Sequence, residues 1–143
     1  MKKLIYIIVI TLLTLTSCEL NLSTNGKLDG LWQMTEIQVK GDQPQKVTEQ
    51  QLTWAFQFKL LELRSSNSPS VHALCRFEHK GDSLRVYQPL RASFHESDIP
   101  FENAEELHPY GLYTLDEHFK VENLNSDRMI LSSDSVRVIF RRY

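Results

Sequence analysis

The sequence predicts a mainly β protein: a small antiparallel up-and-down β-barrel of seven to eight strands with one short helix. Three observations predict it. Apolar and polar residues alternate over much of residues 31–143, which is the period of half-buried strands. The breaks between most runs are short and rich in Gly, Asn, Asp and Ser, leaving no room for crossover helices, so neighbouring strands run antiparallel. The apolar face must be hidden, and closing the sheet on itself hides it while removing the sheet edges. A two-sheet sandwich has the same periodicity and is the other architecture the pattern allows.

The elements follow in order. LWQMTEIQV, residues 31–39, alternates as the first strand, and Gly30 before it gives the chain room to turn. Strict alternation puts Trp32, Met34 and Glu36 on the inward face, where an unpaired carboxylate is costly. Glu36 is therefore a candidate ligand-orienting group, or else a rim residue or ion-pair partner. Thr48 and Gln51 have capping-box spacing, which suggests one turn over residues 47–52. LTWAFQFKLLEL, residues 52–63, reads as one strand with Trp54, Phe56, Phe58 and Leu60 on a common face. Leu61 and Leu63 fall on the other face, as a bulge would place them.

After the polar break SSNSPS, the run SVHALCRFEH turns at Lys80-Gly81-Asp82-Ser83 into LRVYQPL, a hairpin signal. In SDIPFENAEELHPYG, Ser97 or Asp98 can cap, Pro100 suits a first turn, and Pro109 with Gly111 stops the segment. These features predict the short helix over residues 99–107. HFKVENL, RMILSS and SVRVIFRRY then close the chain as a three-stranded meander.

Composition narrows the function. The 143 residues carry 16 basic and 18 acidic side chains, and the first 17 residues hold two of the bases and none of the acids, leaving the remainder at a net charge of −4 before histidine. No basic footprint for nucleic acid exists. The length and apolar content suit one domain. Of the two cysteines, Cys75 shares a face with Val71, Ala73 and Phe77 and reads as a small buried apolar group.

The five histidines form no His-x-His or His-x-x-x-His pair, so no metal site is predicted. No serine sits in a nucleophile elbow, the five glycines are scattered, and Glu102, Glu105 and Glu106 read as solvated acids near a helix start. No catalytic residue and no cofactor are expected. Trp54, Phe56, Phe58, Phe77 and Phe119 can line an apolar ligand pocket; in so small a barrel the same side chains can also fill it.

The amino terminus sets location. Lys2 and Lys3 precede an uncharged apolar run, residues 4–15, which has the order of a secretory signal and is short for a membrane span. It ends in Leu15-Thr16-Ser17-Cys18, which resembles the lipobox of bacterial lipoproteins. The resemblance implies cleavage after residue 17 and acylation of Cys18, with two or three chains making attachment effectively permanent. Residues 18–28 then form the lipidated cysteine and a flexible tether, and residues 29–143 the domain. Glu19 is not the aspartate that retains many lipoproteins in an inner membrane, so the outer membrane is expected, with its leaflet left open.

LDGLWQM, HPYGLYTL and LNSDRMILSSDSVRVIFRRY together resemble the small lipocalin-like lipoproteins common in Bacteroidetes. The resemblance implies that Trp32 plugs one barrel end and that an arginine of the last strand covers its ring. Arg142 shares a face with Val136, Val138 and Phe140, and Arg141 is the alternative. The chain departs from the lipocalin pattern in being shorter and in lacking a Thr-Asp-Tyr-like motif and a long C-terminal helix. The implied partners are the membrane, through the lipid anchor, and an apolar or amphipathic small molecule or an envelope protein.

Overall fold

A computed structural model describes Lys2 and residues 24–67, 70–93 and 97–143. The expected signal segment apart from Lys2, Cys18 and the expected tether up to residue 23 lie outside the described residues, as does His95. Ten strands form one antiparallel sheet: β1 Gly30–Val39, β2 Gln45–Lys46, β3 Leu52–Gln57, β4 Leu60–Ser65, β5 Ala73–Lys80, β6 Ser83–Arg91, β7 Ile99–Pro100, β8 Asp116–Leu124, β9 Arg128–Ser132 and β10 Val136–Arg142. Eight of them follow the order β10-β9-β8-β6-β5-β4-β3-β1, and β1 pairs back onto β10 from Trp32↔Arg142 to Val39↔Val136. The sheet is thus a closed up-and-down barrel, with β2 and β7 as short additions to β1 and β6.

The hairpin at Gly81-Asp82 and the β8–β9–β10 meander form where alternation and turn residues place them. The run 52–63 differs. It is two strands, not one with a bulge: Gln57 pairs with Leu60 around a Phe58-Lys59 turn, and Phe58 has φ of 56°. Positive φ at the first central position of a two-residue hairpin is where glycine is usual. The turn explains the apparent change of face, because Leu61 and Leu63 come back inward and are fully buried.

A second departure lies in β1. Its register against β10 shifts between Met34 and Glu36, so Met34 and Ile37 are both buried and Glu36 stands half-buried in a wall groove with Lys46, Arg128 and Arg141. The bulge overrides the strict alternation that put Glu36 inward.

The third concerns residues 99–107, which are not one helix. Ile99–Pro100 is a strand on Leu90 and Arg91, and Glu105–Tyr110 is a 3-10 helix ended by Gly111 at φ of 85°. The buried residues Phe101, Ala104, Leu107 and Tyr110 recur every three positions, the repeat of a 3-10 rather than an α-helix. The turn over residues 47–52 forms as a 3-10 turn, Thr48–Gln50, without a side-chain cap.

This 3-10 segment closes one end of the barrel. Leu107, Tyr110 and Leu112 are buried in the same core as the strands, and the Tyr110 hydroxyl donates to the Val71 carbonyl at 2.7 Å. Gly111 packs so closely that a Cβ there would lie 2.8 Å from Val138 Cγ2. Among the described residues the buried apolar side chains lie between Leu28 and Phe140, so a chain beginning at residue 19 keeps these residues.

Candidate functional site

Of the side chains predicted to bind a ligand, Trp54, Phe56, Phe77 and Phe119 do meet inside the barrel. They meet as packing. Trp54 on β3 lies 5.8 Å from Phe119 on β8 and 5.1 Å from Phe140 on β10, ring centre to ring centre, both edge-on, and Phe56 lies 5.0 Å from Phe77. Rings from non-neighbouring walls at these distances touch across the middle, which is the filled interior of a small barrel. Phe58 is elsewhere, 52 % exposed at its hairpin tip.

A large apolar concavity lies on the outside of the wall. On β6, Gln88 and Pro89 face the single residue Cys75 of β5, between the pairs Arg76↔Tyr87 and Leu74↔Leu90. Gln88 takes φ of 49°, Pro89 cannot donate to the ladder, and the sheet bends there. Next to this bulge opens a cleft of about 760 Å³, within the range of about 300–1,000 Å³ common for small-molecule sites. Leu60, Leu74, Leu90, Pro100, Phe101 and Leu115 supply its apolar surface, and the groove at Glu36 is smaller, about 450 Å³. Leu60 is 51 % exposed. Sequence reasoning missed the cleft because its residues sit on the outward face of β4, β5 and β6; Pro89 within a strand run was the available signal.

The cleft's charges are distributed unevenly. Arg85 binds Asp116 with two hydrogen bonds of 2.8 and 2.7 Å, lies 3.8 Å from Glu78, and stacks 4.2 Å from the centre of the Tyr87 ring. The hydrogen bond from Arg85 holds the Asp116 carboxyl below its ordinary range and raises the guanidinium's own value. Asp98 accepts from the Ser93 amide at 3.3 Å. The Arg76 side chain is exposed and has no hydrogen-bond or ion-pair partner among the described residues.

Cys75 touches the cleft floor, but burial pushes its thiol up to about 12. The thiolate is the reactive form. Labelling of residues 19–143 by dithionitrobenzoate at neutral pH is therefore expected to be much slower than for an ordinary thiol, and fast after denaturation; rapid labelling of the folded chain would contradict the burial. His72 bonds Glu62 at 2.6 Å, His108 stacks on Tyr113 with ring centres 4.3 Å apart, and His118 lies 3.2 Å from Asp116. Among the described residues no three His, Cys, Asp or Glu side chains gather as metal ligands.

The end opposite the 3-10 segment is closed by Trp32. Its Nε1 donates to the Leu28 carbonyl at 2.9 Å, and the Arg142 guanidinium lies 4.1 Å over the ring centre. Arg142 also donates to the carbonyls of Asp29, Lys27 and Ser126, the last two at 2.7 and 3.1 Å. Gly30, at φ of 114°, leaves the space this needs: a Cβ would lie 2.5 Å from Arg142 Nη1. Arg141, on the other face, clamps the Gln33 amide oxygen at 2.8 and 2.6 Å. A ring plugging the barrel end under a last-strand arginine is the arrangement that the resemblance implies.

Residues 13–143 match the family model described as "Lipocalin-like domain". The chain belongs to this family. Among solved structures, a lipocalin-like protein from Bacteroides uniformis is 20 % identical, with a TM-score of 0.62 over 82 % of this chain and 100 % of its own. An uncharacterised protein from Bacteroides eggerthii is 19 % identical, with a TM-score of 0.55 over 80 % of this chain and 98 % of its own. At these identities the likeness is one of fold. No curated protein matches. The lipocalin-like domain here has a packed interior and an apolar cleft outside, so fold membership alone does not place a ligand in the lumen.

Proposed function

We propose that this protein is a lipid-anchored envelope lipoprotein whose lipocalin-like domain binds an apolar or amphipathic small molecule in the wall cleft rather than in the barrel interior. The observation that carries the reading is the apolar cleft of about 760 Å³ beside a core with touching rings. Binding there is driven by removal of apolar ligand surface from water, at about 25 cal/mol per Å² before the losses of association are counted. Lys2, Lys3, the apolar run and Leu15-Thr16-Ser17-Cys18 support the anchor, and Glu19 supports the outer membrane.

Residues 19–143 are expected to enhance Nile red fluorescence saturably. Leu74→Asp and Leu90→Asp, both on the outward face, should abolish the enhancement while leaving the folded signal intact. No saturable signal from the parent chain, or unchanged binding by both variants, rejects the cleft. In cells, Cys18→Ala should move the full chain from the membrane to the soluble fraction; retention rejects the anchor. The filled interior, with Phe58 and the 68 % exposed Tyr143 on the surface, favours one alternative, an envelope interaction module without a small ligand. That reading stands if no probe binds.

A further inference from the structure

We propose that the cleft selects amphipathic anions, with the guanidinium of Arg76 receiving a carboxylate or another monoanionic head and the apolar body lying along Leu74, Leu90 and Phe101. The inference rests on the cleft being a binding site and adds the chemical class of its occupant. Its basis is which charges are already engaged.

On the outward face, Arg76 is bracketed by Leu60 on β4 and Tyr87 on β6. Among the described residues, three acids on the neighbouring strand positions have other partners. Glu78, two residues along the same face, lies 3.8 Å from Arg85 and accepts the Tyr87 hydroxyl at 3.4 Å. Glu62, on the neighbouring strand, is bonded to His72, and Asp116 holds Arg85 through both oxygens. An exposed guanidinium next to an apolar surface offers a planar fork to a carboxylate without first breaking an ion pair.

The cleft is also polar in a fixed direction. Arg76 lies at the Leu60 end, whereas Asp98 precedes β7, which pairs with Leu90 and Arg91 at the far end. An anionic head next to Asp98 is repelled and next to Arg76 is attracted, so the charges select one orientation as well as one sign. The apolar residues between them suit a short alkyl chain or an aromatic body.

The test is displacement of Nile red from residues 19–143 by decanoate and by decanol, which share a tail and differ in charge. Decanoate should be the tighter competitor. Arg76→Gln should weaken decanoate about three- to tenfold at low salt and leave decanol unchanged, Arg76→Glu should weaken decanoate further, and Arg76→Lys should restore most of the preference. Equal weakening of both competitors by Arg76→Gln, or no change in either, overturns the role of Arg76. If Nile red does not bind the parent chain at all, the failure is that of the cleft itself, and the two results are told apart in one experiment.

Discussion

Trp32→Ala is expected to lower the unfolding free energy of residues 19–143 by about 3–5 kcal/mol in urea titrations. The ring is fully buried, so its loss leaves a cavity at the barrel end. The Leu28 carbonyl loses its donor, and Arg142 loses a cation–π contact of about 0.5–2 kcal/mol. Trp54 provides the control. It pairs with Trp32 across β1 and β3 and is equally buried, yet its Nε1 has no partner among the described residues. Leaving a buried donor unpaired costs about 1–3 kcal/mol, so Trp54→Phe removes a penalty along with part of the packing, whereas Trp32→Phe removes a made hydrogen bond. The phenylalanine variant should therefore be more damaging at Trp32 than at Trp54. Equal losses at the two sites would mean that the Leu28 bond and the Arg142 stack contribute nothing measurable.

Trp32 was legible through the family resemblance carried by LDGLWQM, which implies a plugging tryptophan under a last-strand arginine, and alternation singled out Arg142 because it falls on the set with Val138 and Phe140. The three hairpins with Gly, Asn, Asp or Ser at their turns were legible because local chemistry and hydrophobic period agree there. Phe58-Lys59 breaks that agreement. An aromatic residue occupies a position that favours glycine, so the sequence runs on with no turn signal while the chain reverses. Phe58 consequently leaves the inward set for the surface.

Glu36 was misplaced by a different mechanism. A bulge shifts parity without any marker residue; the only trace is that Met34 and Ile37, both apolar, are three apart where a regular strand would space them by two. The 3-10 segment likewise announced itself in a three-residue repeat of apolar positions, read first as helical because Pro100 and the acids imitate an α-helix start. The cleft was the least legible feature. It arises from residues that alternation assigns to solvent, brought together by a bend at Gln88 and Pro89, and neither its volume nor the unpaired state of Arg76 is a property of any one segment.

Leu107→Ala is expected to cost about 2–5 kcal/mol, and its effect on ligands discriminates between lumen and wall. Leu107 is fully buried in the 3-10 segment that closes the barrel, within the core that holds Tyr110, Leu112 and the strand residues. Truncation there leaves a void within the apolar core, and voids of this kind stay dry and accept small apolar guests. Benzene should therefore raise the thermal midpoint of Leu107→Ala while leaving that of the parent chain unchanged, because the parent has rings in contact where a guest would sit. Nile red binding at the outer cleft should survive the substitution, since Leu74, Leu90 and Phe101 are not displaced by a change on the lumen side. Equal stabilisation of parent and variant by benzene would reveal an existing internal void and return the ligand to the lumen. Stabilisation confined to the variant ties emptiness to the deletion, and so leaves the parent interior as packing and the wall cleft as the proposed ligand site.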